Sequence, residues 1–142
     1  WWWTPGSAAY WDDTTGHEDS TSLCIDTGDH GVLPTRNRWV VRVGPIFHGE
    51  PLQAGGCYRL SAWIRTQGVS SGAGARIGYA FPDDGAWRVV YSTGVLGTCE
   101  WQQVEIITEP LPATRQIALV LELDGLGKAW FDDVSWLLVP EQ

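Results

Sequence analysis

Three pairs of adjacent carboxylates, Asp12-Asp13, Asp83-Asp84 and Asp132-Asp133, carry the most obvious chemistry in this chain. Neighbours on a strand point to opposite faces, so no pair by itself makes an acid–base dyad. Asp83-Asp84 lies in the turn sequence Pro82-Asp83-Asp84-Gly85 and reads as solvated. Asp132-Asp133 differs, because it interrupts the last long apolar run, residues 129–139. Whichever face of that strand is buried, one of the two aspartates points inward. An unpaired buried carboxylate is costly, so a cation is expected there: a metal, or an Arg or Lys from another segment. Hard oxygen donors without soft ones favour calcium over zinc, with oxygens of Glu18, Asp19 and Ser20 in the acidic loop completing a shell. The alternative is a salt bridge or hydrogen bonds to backbone, since Asp side chains readily cap turns.

Other catalytic patterns are missing. His17, His30 and His48 fall in loop-like sequence without HxH or HExxH spacing, and no GxSxG occurs. The glycine-rich residues 68–74 lack the Lys and following helix of a phosphate loop. The domain is therefore expected to be non-catalytic. Cys24, Cys57 and Cys99 have no metal-ligand spacing. Cys24 reads as a buried thiol, and Cys57 and Cys99 can be bridged if the two strand starts they precede are neighbours.

Ten Trp, four Tyr and three Phe in 142 residues are more than one core needs. Trp is seldom buried completely, so part of this set is expected on the surface as a ligand platform, the alternative being packing throughout. Trp39, Trp63, Tyr79, Trp87 and Tyr91 spread over four successive strand candidates, with Arg42, Arg59, Arg76, Gln103 and Glu122 as polar partners. Flat rings rimmed by such groups suit a pyranose.

These residues need elements to hold them, and every candidate element is a strand. Ser22–Asp26, residues 38–47, 58–65, 76–81, 87–91, 100–108, 115–123 and 129–139 alternate or run apolar between Gly/Pro turns. Residues 67–75 read as a linker and 124–127 as a turn; Trp1 to Trp3, Tyr10 and Trp11 are a first edge strand or part of a loop. Apolar residues never recur at helical spacing over three turns. The expectation is one all-β domain over residues 1–142, a two-sheet antiparallel sandwich of about nine strands. A net charge of -8 argues against nucleic acid or an anionic membrane as partner. No apolar run is long enough to span a bilayer, so membrane insertion is not expected. The Trp1-Trp2-Trp3 start and lack of Met suggest a piece of a longer protein.

Three segments together, residues 56–65, 97–104 and 127–134, with the early segment 17–25, resemble the β-jelly-roll carbohydrate-binding modules of the family 4/9/22 type, in the galactose-binding-like superfamily. The resemblance implies a jelly roll with a structural calcium near the terminal Asp-Asp. Its ligands would include Asp132 or Asp133, with oxygens from the region of Glu18, Asp19 and Ser22. It further implies a glycan on aromatic platforms of the concave sheet: Trp39 matches the aromatic before the Tyr58 strand, and Trp87 and Tyr91 lie where the variable binding strands run. Arg42 stands where a Gln is common. On this basis the ligand-binding set is Trp39, Arg42, Tyr79, Trp87, Tyr91 and Glu122, and the metal set Asp132, Asp133, Glu18, Asp19 and Ser22. The implied role is to hold a plant, algal or microbial polysaccharide near an attached glycoside hydrolase or lyase domain, in a secreted, cell-surface or periplasmic bacterial protein. The rival is an accessory module that packs against other domains of the same polypeptide and binds nothing itself.

Overall fold

The computed structural model describes residues 2–3, 9–28, 37–43, 53–111 and 116–140. Among these are eight strands: β1 (Trp2–Trp3), β2 (Ala9–Asp12), β3 (Ser22–Asp26), β4 (Asn37–Val43), β5 (Tyr58–Asp83), β6 (Ala86–Tyr91), β7 (Gly97–Ile107) and β8 (Ile117–Leu138). All pairings are antiparallel. No helix among the described residues is long and apolar enough to cross a membrane. Residues 44–47, which the sequence adds to β4, and His30 and His48 lie outside the described residues.

The strands form two layers, and β5 and β8 belong to both. In the first layer β1, β4, the start of β8, the end of β5 and β6 lie side by side, with Trp39 opposite Leu121 and Leu121 opposite Ile77. In the second, β2, β3, the end of β8, the start of β5 and β7 do the same, with Leu23 opposite Phe131 and Phe131 opposite Ile64. The sandwich is a jelly roll, as the sequence led one to expect. Alternation fixes the inner faces: Leu60, Ala62 and Ile64 from one layer meet Ile77, Leu119, Leu121 and Leu123 from the other in a single core. Rings bridge the layers, with Tyr79 and Trp136 centroids 6.5 Å apart and Trp11 edge-on to Trp39 at 5.9 Å.

The linker expected at 67–75 and the turn at 124–127 are instead strand, so two pairs of expected strands merge into β5 and β8. The two chains bend together where they change layer, with register shifts at Gln67/Ser70 and Ser70/Gly74. Gly125 makes that close approach possible. Its φ is 136°, and a Cβ there would strike the carbonyl oxygens of Ser70 and Ser71. The β5–β6 hairpin closes as expected through Asp84-Gly85, with φ of 50° and 82°. The three cysteines are free. The condition for a Cys57–Cys99 bridge is not met: Cys57 precedes Tyr58, whereas Cys99 pairs with Thr66 far along the same strand, roughly 30 Å away at strand rise.

At the far edge Asp12, 8% exposed, ties β2 to β8. It accepts hydrogen bonds from Trp130 Nε1 (2.8 Å), Thr14 N (2.8 Å) and Thr14 Oγ1 (2.7 Å). Burial pushes its carboxyl up, but these bonds and the Lys128 charge outweigh burial and hold it below its ordinary value.

Two measurements check this account. Gly125→Ala should lose about 2–4 kcal/mol, from strain plus overpacking, in denaturant unfolding. Gly55→Ala, with φ of 75° but nothing within 4 Å of the added Cβ, should lose only about 1 kcal/mol; equal losses would show that the crossing is not sterically closed. For Asp12 the depressed carboxyl means that its stabilisation is complete above the ordinary range near pH 4 and is lost as pH falls through the lower folded value. The stability gap between the parent and Asp12→Asn should therefore be widest at neutral pH and narrow as pH falls through that lowered value; a gap independent of pH would refute the assignment.

Candidate functional site

The outer face of the first layer gathers the chain's densest polar network. Register places Arg38, Glu122 and Arg76 in one row across β4, β8 and β5. Glu122 is fully buried. It accepts from Arg38 Nε at 2.9 Å on one oxygen, and from Arg76 Nε and Nη2, both at 2.8 Å, on the other. Two guanidinium groups thus compensate the desolvation of one buried carboxylate. The Tyr91 hydroxyl donates to Glu122 Oε1 (3.0 Å) and accepts from Arg38 Nη2 (3.1 Å), and Arg76 lies over the Tyr91 ring at 3.6 Å. Burial is the first cause raising the Tyr91 hydroxyl above its ordinary value, followed by the Glu122 charge.

Gly78 explains why the ring lies down. Gly78 pairs with Tyr91, and a Cβ on it would meet ring atoms at 2.8 Å. Beyond it the floor is apolar and close-packed, with Ala80, Ala118 and Val120 only 5, 7 and 2% exposed beneath Val40, Val89 and Tyr91. Trp87, two pairs along β6 on the same face as Val89 and Tyr91, is 48% exposed.

Of the six residues expected to bind ligand, Trp87, Tyr91 and Glu122 share this face. Trp39 and Tyr79 do not. Trp39 is fully buried, its Nε1 donating to the Cys24 carbonyl at 3.1 Å, and Tyr79 is 3% exposed within the core. Both occupy inward positions of the alternation, so neither can form a platform. The Arg42 backbone pairs with Ala118, and its side chain is outside the described residues. Arg76, named among the polar partners but left out of the six, belongs to the network, and so does Arg38, which the sequence reading omits; a charged residue alternating with apolar ones on the strand beside a buried glutamate is the signal that could have found it. A separate cleft of about 400 Å³ lies beside β7, lined by Thr93, Leu96, Cys99, Gln102 and Val104 among others. None of the six lines it.

Neither terminal aspartate points into the core, where one of the two was expected. Ser61 opposes Ser135 but Trp63 opposes Asp132, so β8 carries one extra residue here. This bulge, with Asp133 at φ 50°, lets Phe131 and then Trp136 face the core while both carboxylates reach the loop that follows β2. Asp132 accepts from His17 N (2.9 Å) and Asp133 N (2.8 Å); burial raises its carboxyl above the ordinary value, and these bonds only partly offset it. Asp133 Oδ2 lies 2.8 Å from His17 Nδ1. A ring nitrogen of His17 and one carboxylate oxygen each of Glu18 and Asp133 all lie within 4.8 Å of one another, a group able to coordinate a metal ion. Of the expected metal set, Glu18 and Asp133 are in that group. Asp19 instead accepts from Thr21 N, and the Ser22 hydroxyl donates to Thr15 O. An imidazole with two carboxylates is not the all-oxygen shell that calcium prefers.

No protein-family model and no curated protein matches the sequence. Solved structures do match in shape. The Clostridium thermocellum xylanase 10B, seen as CBM22-1 and GH10 modules complexed with xylohexaose, superposes with a TM-score of 0.68 at 14% identity, over 96% of this chain and 25% of that one. The CBM22-1 xylan-binding domain of Paenibacillus barcinonensis Xyn10C gives 0.67 at 11% identity, over 99% and 86%. A xylan-binding domain from CBM 22, formerly termed x6b, gives 0.65 at 16% identity, over 99% and 88%. At such identities the likeness is one of architecture: this chain has the jelly-roll fold of the family 22 carbohydrate-binding modules.

Proposed function

We propose that the chain is a non-catalytic carbohydrate-binding module that takes a neutral β-linked polysaccharide of the xylan type on the outer face of its first layer. The observation that carries this reading is the joining of an exposed indole, Trp87, to the Arg38–Glu122–Arg76–Tyr91 network on one sheet face. The indole offers a flat apolar surface to the C–H side of a sugar ring, and the network offers donors and acceptors held in fixed directions for hydroxyl pairs. Among similarly folded proteins are a xylan-binding domain and a xylanase complexed with xylohexaose, which supports the choice of sugar. Binding at one such surface is weak, roughly 10 µM to 1 mM, and becomes useful when linked to a catalytic domain of the same secreted bacterial polypeptide. Calcium, implied by the sequence resemblance, is no part of this reading, because the converging donors are those of His17, Glu18 and Asp133.

Calorimetric titration with xylohexaose tests it. Trp87→Ala should weaken binding by about 3- to 12-fold, the value of one aromatic stack, and Tyr91→Phe by a similar factor through loss of its hydroxyl bonds. Trp11→Ala, which removes a 60%-exposed indole on the opposite layer, should leave affinity unchanged. Absence of binding to any xylan or related β-glycan by the parent chain would favour the rival, a module that packs against neighbouring domains.

A further inference from the structure

The second layer's outer face carries a different site. His17 is stacked on Trp63, ring centroids 4.0 Å apart and planes 12° from parallel, with Trp101 at 5.7 Å on a tilt. The stack fixes the direction of the imidazole, and Nδ1 is aimed at Asp133. Asp132 supports both ligand residues at once: its two oxygens accept the backbone N–H groups of His17 and Asp133. Among the described residues no Lys or Arg lies in ion-pair range of Glu18, Asp132 or Asp133. A rigid imidazole, two convergent carboxylates and a supporting carboxylate therefore meet without a fixed cation.

We infer that His17, Glu18 and Asp133 bind a first-row divalent transition metal of the zinc class, in preference to calcium. Imidazole nitrogen is a good ligand for such ions, whereas calcium takes six to eight oxygens. Of the other side-chain oxygens nearby, both of Asp132 already accept a backbone N–H, Asp19 Oδ1 accepts from Thr21 N, and Ser22 Oγ donates to Thr15 O. The geometry suits a small ion. Two ligand atoms each about 2.0–2.1 Å from one zinc lie roughly 2.9–3.3 Å apart, and Nδ1 and Oδ2 are already 2.8 Å apart. Binding exchanges the His17–Asp133 hydrogen bond for two bonds to the metal and fastens the loop after β2 to the bulge of β8. Supporting bonds of the kind Asp132 makes are what orient ligands at metal sites.

The test uses the chain stripped with chelator and titrated calorimetrically with zinc chloride and, separately, calcium chloride. One zinc ion should bind per chain, at least about 100-fold more tightly than calcium. Glu18→Gln and His17→Gln should each weaken zinc by no less than the roughly 10- to 100-fold that loss of a supporting group costs. Because His17 also packs on Trp63, Glu18→Gln decides if His17→Gln does not fold. Calcium binding as tight as zinc, no zinc binding, or zinc affinity retained in Glu18→Gln would each overturn the assignment. None of these readouts depends on glycan binding, so the two proposals stand or fall separately.

Discussion

The joint crossing of β5 and β8 from one layer to the other is the constraint on which the rest of the molecule depends. Two long antiparallel strands bend together, staying paired on both sides of the bend and through Ser70 and Leu126 within it, between two register shifts. Gly125 and its neighbours let the two backbones approach where side chains would keep them apart. Each half of β8 then acquires its own flanking strand, β4 for the first and β3 for the second. A single continuous strand thereby presents Glu122 on one outer face of the sandwich and Asp132 and Asp133 on the other.

That placement forces different solutions on the two acidic positions. Glu122 has no exposure at all, and its charge is tolerable only because two guanidinium groups and a hydroxyl are already directed at it. Such a cluster contributes little net stability, since desolvation offsets attraction, but its members cannot be removed singly without stranding a charge. Its side chains are consequently held in fixed directions. On the same face Tyr91 lies flat under Arg76, and Trp87 is about half exposed.

The core was legible in the sequence wherever alternation ran unbroken. Residues 58–64 and 117–123 show it, and their inward sets are those that pack together. The same rule already assigns Trp39 to the inner face, since Arg38, Val40 and Arg42 alternate with it; reading Trp39 as a platform set chemical appeal against phase. Tyr79 fell to the same error. What the sequence could not show was where phase changes. The crossing at 67–75 looks like a linker because Gly and Ser there serve a bend, and bending and breaking use the same residues. The pairing of His17 with Asp133, 116 positions apart, likewise depends on a loop path that no local pattern records.

The bulge at Asp132-Asp133 shows how much one residue decides. Without it, strict alternation from Phe131 would place Asp133 and Ser135 in the core and turn Val134 and Trp136 toward solvent. With it, the apolar residues on both sides face inward, Trp136 stacks on Tyr58 at 4.8 Å, and both carboxylates are expelled to the outer face. The motif is therefore better understood as a phase-shifting device than as a buried charge seeking a partner. Its aspartates can serve as acceptors for the incoming loop because they escape the core, and Asp132 does so through the His17 N–H. Among the described residues no arginine or lysine forms an ion pair with them. The Trp87–Glu122 face and the His17–Asp133 cluster lie on opposite outer faces and touch different halves of β8, and the crossing between them keeps the two groups of side chains apart while holding them in one frame.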